Sequence, residues 1–178
     1  MITYRAPRPD EVAALADLGR DTFVETFAHL YRAEDLNAFL DDAYSLSGVE
    51  QDAHNPDLRY RVAVDNGRLI AFCKVGIKPS LGYDAGDQRV VELKQLYVRG
   101  THLGSGIAPV MMDWALDIAR DSGADLMILS VYCDNVRAQR FYARYGFEKV
   151  ADTYFMVGTH RDDEYILARK MTQDAAAA

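Results

Sequence analysis

Apolar residues recur along the middle of the chain in runs that are typical of β-strands. YRVAVDNGRLIAFCKVGI holds two segments rich in β-branched and aromatic residues on either side of Asn66 and Gly67, the pair that favours a tight hairpin turn. It predicts two antiparallel strands. RVVELKQLYV predicts another strand, in which Leu93 is out of phase with Leu96 and Val98. One extra residue, a β-bulge, would bring the three onto one face and would splay this strand from its neighbour.

The apolar residues that follow have the spacing of a helix. They are Ile107, Val110, Met111, Trp114 and Ile118. Their spacing predicts a helix that ends at Gly123. The next run, DLMILSVYC, is almost entirely apolar, as in a strand that is buried on both faces. A strand, a helix and a second strand in this order predict a parallel pair in the middle of the sheet.

The two ends of the chain complete the set of predicted elements. MITYRA predicts a first strand, and a helix capped by Asp10 follows it to about Phe23. A second helix is predicted by a stripe that consists of Leu36, Phe39, Leu40 and Tyr44. A short fourth helix begins after Asn135 and stops at Gly146. FEKVADTYFMVG and EYILARKM predict the last two strands.

Together these patterns predict an α/β (α+β) fold. A mixed, mostly antiparallel central sheet of about seven strands would hold a splayed parallel pair in its middle, with about four helices on both faces. The length of 178 residues fits one domain, 1–171. The tail, 172–178, has nothing to bury and is predicted to be disordered.

Composition argues against several classes of function. The formal net charge of −7 is unfavourable for a nucleic-acid partner, which requires clustered Lys and Arg. Cys73 and Cys133 lie in apolar runs without the spacing of a metal site, so we expect no metal and a reducing compartment. The N-terminus, MITYRAPRPDEV, has no apolar stretch of signal-peptide length, and no run in the sequence approaches the roughly 20 apolar residues of a membrane span. We therefore expect a soluble, cytoplasmic protein with no membrane partner.

Three glycines in LYVRGTHLGSGIAPV separate a predicted strand from the helix that follows. Gly104, Ser105 and Gly106 stand where the helix begins, and a helix N-terminus presents free N–H groups and the positive end of the dipole. Glycines there let a phosphate reach the main chain, although a plain turn with close helix packing explains them equally well. The turn lacks the Lys and the Ser or Thr of a P-loop. Pro109 stands where a dinucleotide fingerprint needs its third glycine.

The segments around the turn resemble the GNAT superfamily of acyl-CoA-dependent N-acyltransferases. Leu96–Val98 and Leu103–Ala108 match its strand and glycine-rich turn, and NVRAQRFYARYGF is similar to its second motif. The resemblance implies acetyl-CoA as cofactor, with the diphosphate on the amides of the turn and the pantetheine arm along the splayed strand. Leu103 departs from the family pattern, in which Gln or Arg is usual, so a polar contact to the cofactor is missing. The resemblance to this family also favours a homodimer.

The resemblance assigns the cofactor to two short segments and one further residue. The residues are Leu96, Tyr97, Val98, Leu103, Gly104, Ser105, Gly106, Ile107, Ala108 and Asn135.

Acetyl transfer from a thioester to an amine requires a neutral amine, support for the oxyanion and a proton for the departing thiolate. Glu92, at a position that many members of the family use, is the candidate base; a surface glutamate paired with Lys94 is the alternative. A backbone N–H near Val98, freed by the bulge, is the candidate for the oxyanion. Tyr142, at the family's FY position, is the candidate acid, with a core aromatic as the alternative. Asn135 caps its helix, binds the pantetheine amides, or does both.

Acidic and aromatic residues are interleaved in the first two predicted helices, which in this family usually shape the acceptor site. Glu25, Phe27 and Tyr31 are the candidate substrate-binding residues, since carboxylates among aromatic rings can hold a cationic amine. Further carboxylates in this region are Glu34, Asp35, Asp41 and Asp42.

The nature of the acceptor follows from a narrower resemblance. TFVETFAHLYRAEDLNAFL and FMVGTHRDDEYILARKM look like the bacterial branch that contains polyamine acetyltransferases. This implies a small primary amine such as a polyamine as the substrate. Three alternatives stay open: an acidic helix face that only meets solvent, acetylation of a protein or peptide N-terminus, and a non-catalytic module that binds acyl-CoA.

Overall fold

A seven-stranded mixed sheet forms the centre of residues 1–171, the part of the chain that this computed structural model describes. The strands are β1 (Thr3–Arg5), β2 (Leu58–Asp65), β3 (Arg68–Gly76), β4 (Val90–Val98), β5 (Leu126–Tyr132), β6 (Glu148–Val157) and β7 (His160–Lys170). They lie in the order β1-β2-β3-β4-β5-β7-β6, and within this range only β4 and β5 pair in parallel. The predicted fold is confirmed, whereas the tail at 172–178 lies outside the described residues.

Helices cover both faces of the sheet. They are α1 (Val12–Phe27), α2 (Ala33–Ala43), α3 (Leu46–His54), α4 (Ile107–Asp121) and α5 (Val136–Arg144). The face beneath α1 and α3 buries Leu15, Leu18, Val49, Val62 and Phe72. The face beneath α4 and α5 buries Val91, Met111, Ala115, Met127 and Leu129. Leu40 of α2 shares a third apolar cluster with Val157 of β6 and Phe23 of α1.

The start and the end of α1 differ from the sequence prediction. Asp10 lies within a 3-10 turn, Pro9–Glu11, and does not cap the helix. Glu11 closes this end, because its carboxylate accepts a hydrogen bond of 2.8 Å from the N–H of Arg8. The helix also continues for another turn beyond the predicted end at Phe23.

The hydrophobic pattern does not predict α3. Ser45 caps this helix by accepting a hydrogen bond of 3.2 Å from the N–H of Gly48. Val49 is the one residue of the helix that is buried, so no apolar stripe marks it in the sequence. The hairpin between β2 and β3 was the easier prediction, since Asn66 and Gly67 adopt φ angles of 47° and 78°, the positive values that a type I′ turn requires.

The β-bulge predicted in β4 is present. Leu93 pairs with Val75 of β3, and Gln95 pairs with the preceding residue of that strand, Lys74. Lys94 is therefore the additional residue.

The bulge opens the sheet between β4 and β5. Leu93, Leu96 and Val98 all pack against the cluster beneath α4, as the sequence predicted. Parallel pairing with β5 ends where Glu92 faces Ile128. Beyond these two residues the strands diverge and leave a gap.

Candidate active site

A cleft of about 1150 Å³ passes through the gap between β4 and β5. The turn before α4 and the helix α5 form one half of it, called here the cofactor half. Parts of α1, the segment between α1 and α2, and β7 form the other, called the acceptor half. All candidate site residues from the sequence line this cleft except Glu92 and Ser105.

The glycine-rich turn before α4 holds Gly104 and Gly106 in the left-handed region, with φ angles of 81° and 85°. A Cβ at either position would meet no atom within 4 Å. The backbone conformation therefore requires glycine here, and close packing of α4 does not explain either residue. Open space lies in front of the turn.

Only some main-chain N–H groups of this turn can bind a ligand. The N–H groups of Leu103 and Ser105 donate to the carbonyl oxygens of Gly100 and His102, both at 3.3 Å. The hydroxyl of Ser105 donates to His102 as well, at 2.6 Å. Within this turn, four N–H groups have no hydrogen bond to any residue of 1–171. They are those of Gly104, Gly106, Ile107 and Ala108.

Three arginines of α5 line the same half of the cleft: Arg137, Arg140 and Arg144. Their spacing of three and four residues places them on one face of the helix. The guanidinium groups add positive charge beside the free N–H groups, an arrangement that suits a diphosphate and a further phosphate. The residues present thus fit the phosphates of coenzyme A. These arginines are not among the predicted site residues, and the only signal for them in the sequence is their helical spacing in NVRAQRFYARYGF.

The main chain of β4 beyond the bulge also faces the gap. The N–H of Arg99 donates to the carbonyl oxygen of Ile70 in β3, at 2.9 Å. Successive residues of a strand direct their main-chain groups to opposite sides, so the N–H and C=O groups of Leu96 and Val98 point into the gap. The side chain of Tyr97 lies on the α1 side of the sheet, away from the cofactor half.

Tyr142 and Asn135 lie in the cofactor half, on α5 and at its start. Burial, followed by the nearby Cys73 and Tyr97, raises the pKa of the Tyr142 phenol, so it keeps its proton at neutral pH. The Oδ1 of Asn135 accepts a hydrogen bond of 3.1 Å from the N–H of Ala138 and caps α5. Asn135 also lines the cleft, and because the cap uses only the side-chain oxygen, the NH2 group is left able to bind a ligand.

Glu92 does not lie in the cleft. Its buried carboxylate accepts hydrogen bonds from the N–H and the hydroxyl of Ser80, at 2.6 and 3.2 Å, and lies 3.3 Å from the Nζ of Lys94. It belongs to the part of β4 that still pairs with β5, where residues 81–85 cover the sheet. The ion pair with Lys94 is the alternative that the sequence analysis left open for this residue.

Aromatic rings form the wall of the acceptor half. They are Phe23, Phe27, Tyr31, Phe39, Tyr44, Tyr132 and Phe155. The ring of Phe23 lies 4.6 Å from that of Phe39, and the ring of Phe27 meets that of Tyr132 edge-on at 6.5 Å. Phe27 and Tyr31, the predicted substrate-binding aromatics, both line this half of the cleft.

The carboxylates of the first two helices are arranged differently from the expectation. Glu25 lines the cleft, but its carboxylate accepts a hydrogen bond of 2.7 Å from the N–H of Gly100 and so ties α1 to the end of β4. Asp41 pairs with Arg20 at 2.7 Å on the surface. The residues that do not line the cleft are Glu34, Asp35, Asp41 and Asp42.

Two carboxylates of β7, Asp162 and Glu164, lie in the acceptor half instead. Tyr31 donates a hydrogen bond to one oxygen of the buried Asp162, and the Nε2 of His160 lies 3.2 Å from the other. Burial raises the pKa of Glu164; a hydrogen bond with Ser130 lowers it, and the charge of Asp162 raises it again. A cation that enters this half meets two carboxyl groups inside an aromatic wall.

A pattern in the sequence could have revealed these two carboxylates. Asp162, Glu164 and Ile166 alternate along RDDEYILARK and therefore share one face of β7. Because Ile166 is buried, that face points inward. Two carboxylates on an inward face require a partner or a function.

Comparison with known proteins decides the family. The model of the GNAT acetyltransferase family matches residues 21–147, which is more than half of the chain. The chain belongs to this family. It is therefore an acetyl-CoA-dependent N-acetyltransferase, and the cofactor implied by the glycine-rich turn is acetyl-CoA.

Similar proteins extend over nearly the whole chain. An uncharacterized N-acetyltransferase of Mycobacterium tuberculosis is 30% identical over 162 residues, which cover 91% of this chain and 97% of the relative. The aminoalkylphosphonate N-acetyltransferase of Salmonella typhimurium is 26% identical over 143 residues, 80% of this chain and 91% of the relative. The crystal structure of the PaiA N-acetyltransferase of Thermoplasma acidophilum in complex with coenzyme A has the same fold, with a TM-score of 0.78 and 21% identity over 96% of this N-acetyltransferase and 99% of that chain.

No helix within 1–171 is long and apolar enough to cross a membrane. The same residues contain no group of three or more His, Cys, Asp or Glu side chains that could hold a metal ion. Cys73 is buried and Cys133 is half-buried, both as free thiols.

Proposed function

We propose that this N-acetyltransferase acetylates a small, positively charged primary amine, and that a polyamine is the first acceptor to test. The observation that carries the proposal is the pair of inward-facing carboxylates, Asp162 and Glu164, inside the aromatic wall of the acceptor half. Carboxylates and aromatic faces both attract an ammonium group, by charge-assisted hydrogen bonds and by cation–π attraction. The Salmonella relative is named for a small primary amine, which supports a small-molecule acceptor; the positive charge of the acceptor rests on the two carboxylates alone.

The spacing of the two carboxylates favours an acceptor with two amino groups. Asp162 and Glu164 are two positions apart in a strand, which is about 7 Å along the strand direction. A chain of three or four carbon atoms between two nitrogens spans a comparable distance. Tyr31 and His160 hold the carboxylate of Asp162 in place, which suits it to the amino group that does not react.

Main-chain groups without a hydrogen-bond partner support the assignment of the cofactor half to acetyl-CoA. The N–H groups of the turn bind the diphosphate, and the main-chain groups of Leu96 and Val98 align the pantetheine arm. Acetyl-CoA supplies the thioester whose carbonyl carbon the amine attacks. The N–H of Val98 points into the gap and stabilises the negative charge that develops on the carbonyl oxygen. Tyr142, which keeps its proton, donates it to the departing sulfur.

The proposal is tested by measuring CoA release from acetyl-CoA with a panel of acceptors at millimolar concentration. The panel contains spermidine, an aminoalkylphosphonate, a primary amine of similar length with one charge, and a peptide with a free N-terminus. We expect the highest kcat/KM for spermidine. Asp162→Asn is expected to raise the KM for spermidine at least tenfold and to leave the Kd for acetyl-CoA unchanged. The matched control Asp41→Asn, which removes a surface carboxylate, is expected to change neither.

Other outcomes would select the remaining alternatives. Peptides that react while polyamines do not would indicate an N-terminal acetyltransferase. Tight binding of acetyl-CoA without CoA release from any acceptor would indicate a module that binds the thioester without turnover. A homodimer stays a prediction, which light scattering tests against the chain mass of 20.0 kDa.

A further inference from the structure

The acceptor amine must lose a proton before it attacks, and three carboxylates on strands β4 and β7, Glu92, Asp162 and Glu164, differ in whether they can accept it. Glu92 is held by Ser80 and Lys94 outside the cleft. Asp162 lies in the cleft, but one oxygen accepts a hydrogen bond from Tyr31 and the other faces His160. Glu164 lies in the cleft and, among the described residues, has a hydrogen bond only with Ser130. It therefore keeps free lone pairs next to bound substrate.

Glu164 also lies close to the gap through which the acetyl group reaches the acceptor half. It pairs with Tyr132, the last residue of β5, and its partner Ser130 lies two residues earlier in the same strand. β5 forms one border of the gap, and Tyr97 of β4 lies on the other border. Tyr97 and Glu164 line the same cleft, and burial, followed by the charge of Glu164, raises the pKa of Tyr97 to about 12.

We infer that Glu164 is the general base of this N-acetyltransferase and takes the proton from the ammonium group of the acceptor. The inference rests on the proposed function, since it requires an acceptor that enters charged. Burial raises the pKa of Glu164, which makes this carboxylate a better proton acceptor than an exposed glutamate.

The proton balance closes with the two residues already described. Glu164 takes one proton from the ammonium group, directly or through a water molecule, and passes it to solvent. The neutral nitrogen forms the C–N bond, and the C–S bond breaks with its electron pair on sulfur. Tyr142 gives its proton to that sulfur, and the second proton lost by the nitrogen restores the phenol. One proton is released for each amide formed.

The first test compares three Glu→Gln variants with the amine that the wild-type enzyme acetylates fastest. Glu164→Gln is expected to lower kcat at least about 100-fold, the usual contribution of a general base, and to leave the Kd for acetyl-CoA unchanged. Glu92→Gln tests the base expected from the sequence and should keep most of kcat. Glu11→Gln, the same change at a hydrogen-bonded carboxylate remote from the cleft, is the matched control. A loss of kcat in Glu92→Gln but not in Glu164→Gln would overturn the inference, as would a rise in KM alone in Glu164→Gln.

The pH dependence gives a readout that loss of folding or of packing would not produce. In Glu164→Gln the rate should rise about tenfold per pH unit towards the pKa of the amine, about 10.4, because only the neutral amine reacts. The wild-type rate should instead level off above the pKa of Glu164. Below that pKa the wild-type rate falls with pH, and this part of the profile is its acidic limb. The groups that face Glu164 and influence the position of the limb are Asp162 on β7, Tyr97 on β4, Tyr31 before α2, and Ser130 and Tyr132 on β5.

Ser130→Ala keeps Glu164 and changes only its hydrogen bond. That bond lowers the pKa of Glu164, so its loss should move the acidic limb of the wild-type profile to higher pH. An unchanged limb in Ser130→Ala, or identical profiles for Glu164→Gln and wild type, would contradict the inference while leaving the acceptor panel intact. If the wild-type enzyme acetylates no amine of the panel, the proposed function fails instead.

Discussion

Asp35 of α2 accepts two hydrogen bonds from Thr159, one from its N–H at 2.7 Å and one from its hydroxyl at 2.9 Å. Thr159 lies in the turn between β6 and β7, so the bonds fasten α2 to the hairpin that carries Asp162. The preceding Gly158 has a φ angle of 58°, and a Cβ there would lie 2.7 Å from the Cα of Asp35. The wall of the acceptor half is therefore held by a contact that only glycine permits.

Gly158→Ala is expected to destabilise the protein more than a glycine substitution at a similar backbone angle elsewhere. Both the left-handed conformation, which costs roughly 1–2 kcal/mol, and the overlap with Asp35, which costs roughly 1–3 kcal/mol, oppose alanine. Gly86→Ala is the matched control, because Gly86 has a φ angle of 62° and open space around it. Urea unfolding measures both variants. Equal losses in the two variants would show that the contact between Gly158 and Asp35 does not restrain the hairpin.

Gly106→Ala is expected to weaken binding of acetyl-CoA about tenfold or more. Alanine at a φ angle of 85° costs roughly 1–2 kcal/mol, so the turn would rearrange and move its free N–H groups. Titration calorimetry with acetyl-CoA measures the change, with Gly86→Ala again as the control. At 100 times its Kd, acetyl-CoA should add about 2.7 kcal/mol to the free energy of unfolding of the wild-type protein. Undiminished binding by Gly106→Ala would argue against a diphosphate site at this turn.

Leu103→Gln is expected to tighten binding of acetyl-CoA, by about two- to tenfold. Leu103 is 48% exposed and lines the cleft at the position where the family usually has Gln or Arg. One added hydrogen bond contributes about 0.5–1.5 kcal/mol. Leu103→Met changes the side chain without adding a donor and should leave the Kd unchanged. The same gain in both variants would mean that a polar contact is not its cause.

Acid should remove the stabilisation that Glu11 contributes at the start of α1. Hydrogen bonding to Arg5 above all lowers the pKa of Glu11 to about 2, from an ordinary value of 4.5. The folded carboxylate releases its proton more readily than the unfolded one, so its contribution is fully present above about pH 4.5 and is lost as the pH falls towards 2. The difference in free energy of unfolding between wild type and Glu11→Gln should therefore shrink over this range. A difference that stays constant from pH 7 to pH 2.5 would contradict the lowered pKa.

The most useful structural prediction came from a conflict within the sequence. Leu93 could share a face with Leu96 and Val98 only if β4 contained an extra residue, and the structure places that residue at Lys94. The phase of apolar residues is a local property, so it can be interpreted without knowing which strand lies alongside.

The position of Glu92 could not be predicted by the same reasoning. Alternation tells which face of β4 a residue occupies, but it does not tell where β4 parts from β5. Glu92 lies at the last paired position, beside Ser80, and not in the gap. Alternation along β7 marks Glu164 as inward-facing, but it does not place this residue at the gap, because a strand far along the chain brings it to β5.

Because the cleft passes through the sheet, different elements form the sites for the two substrates, and each site can change without the other. A change of acceptor requires new side chains on α1, α2 and the β6–β7 hairpin, none of which belongs to the glycine-rich turn or to α5. Relatives can therefore diverge in the amine they modify while they inherit one way of binding the acetyl donor. In this architecture, knowledge of the donor says little about the acceptor, and the acceptor has to be found from the side chains of the other wall.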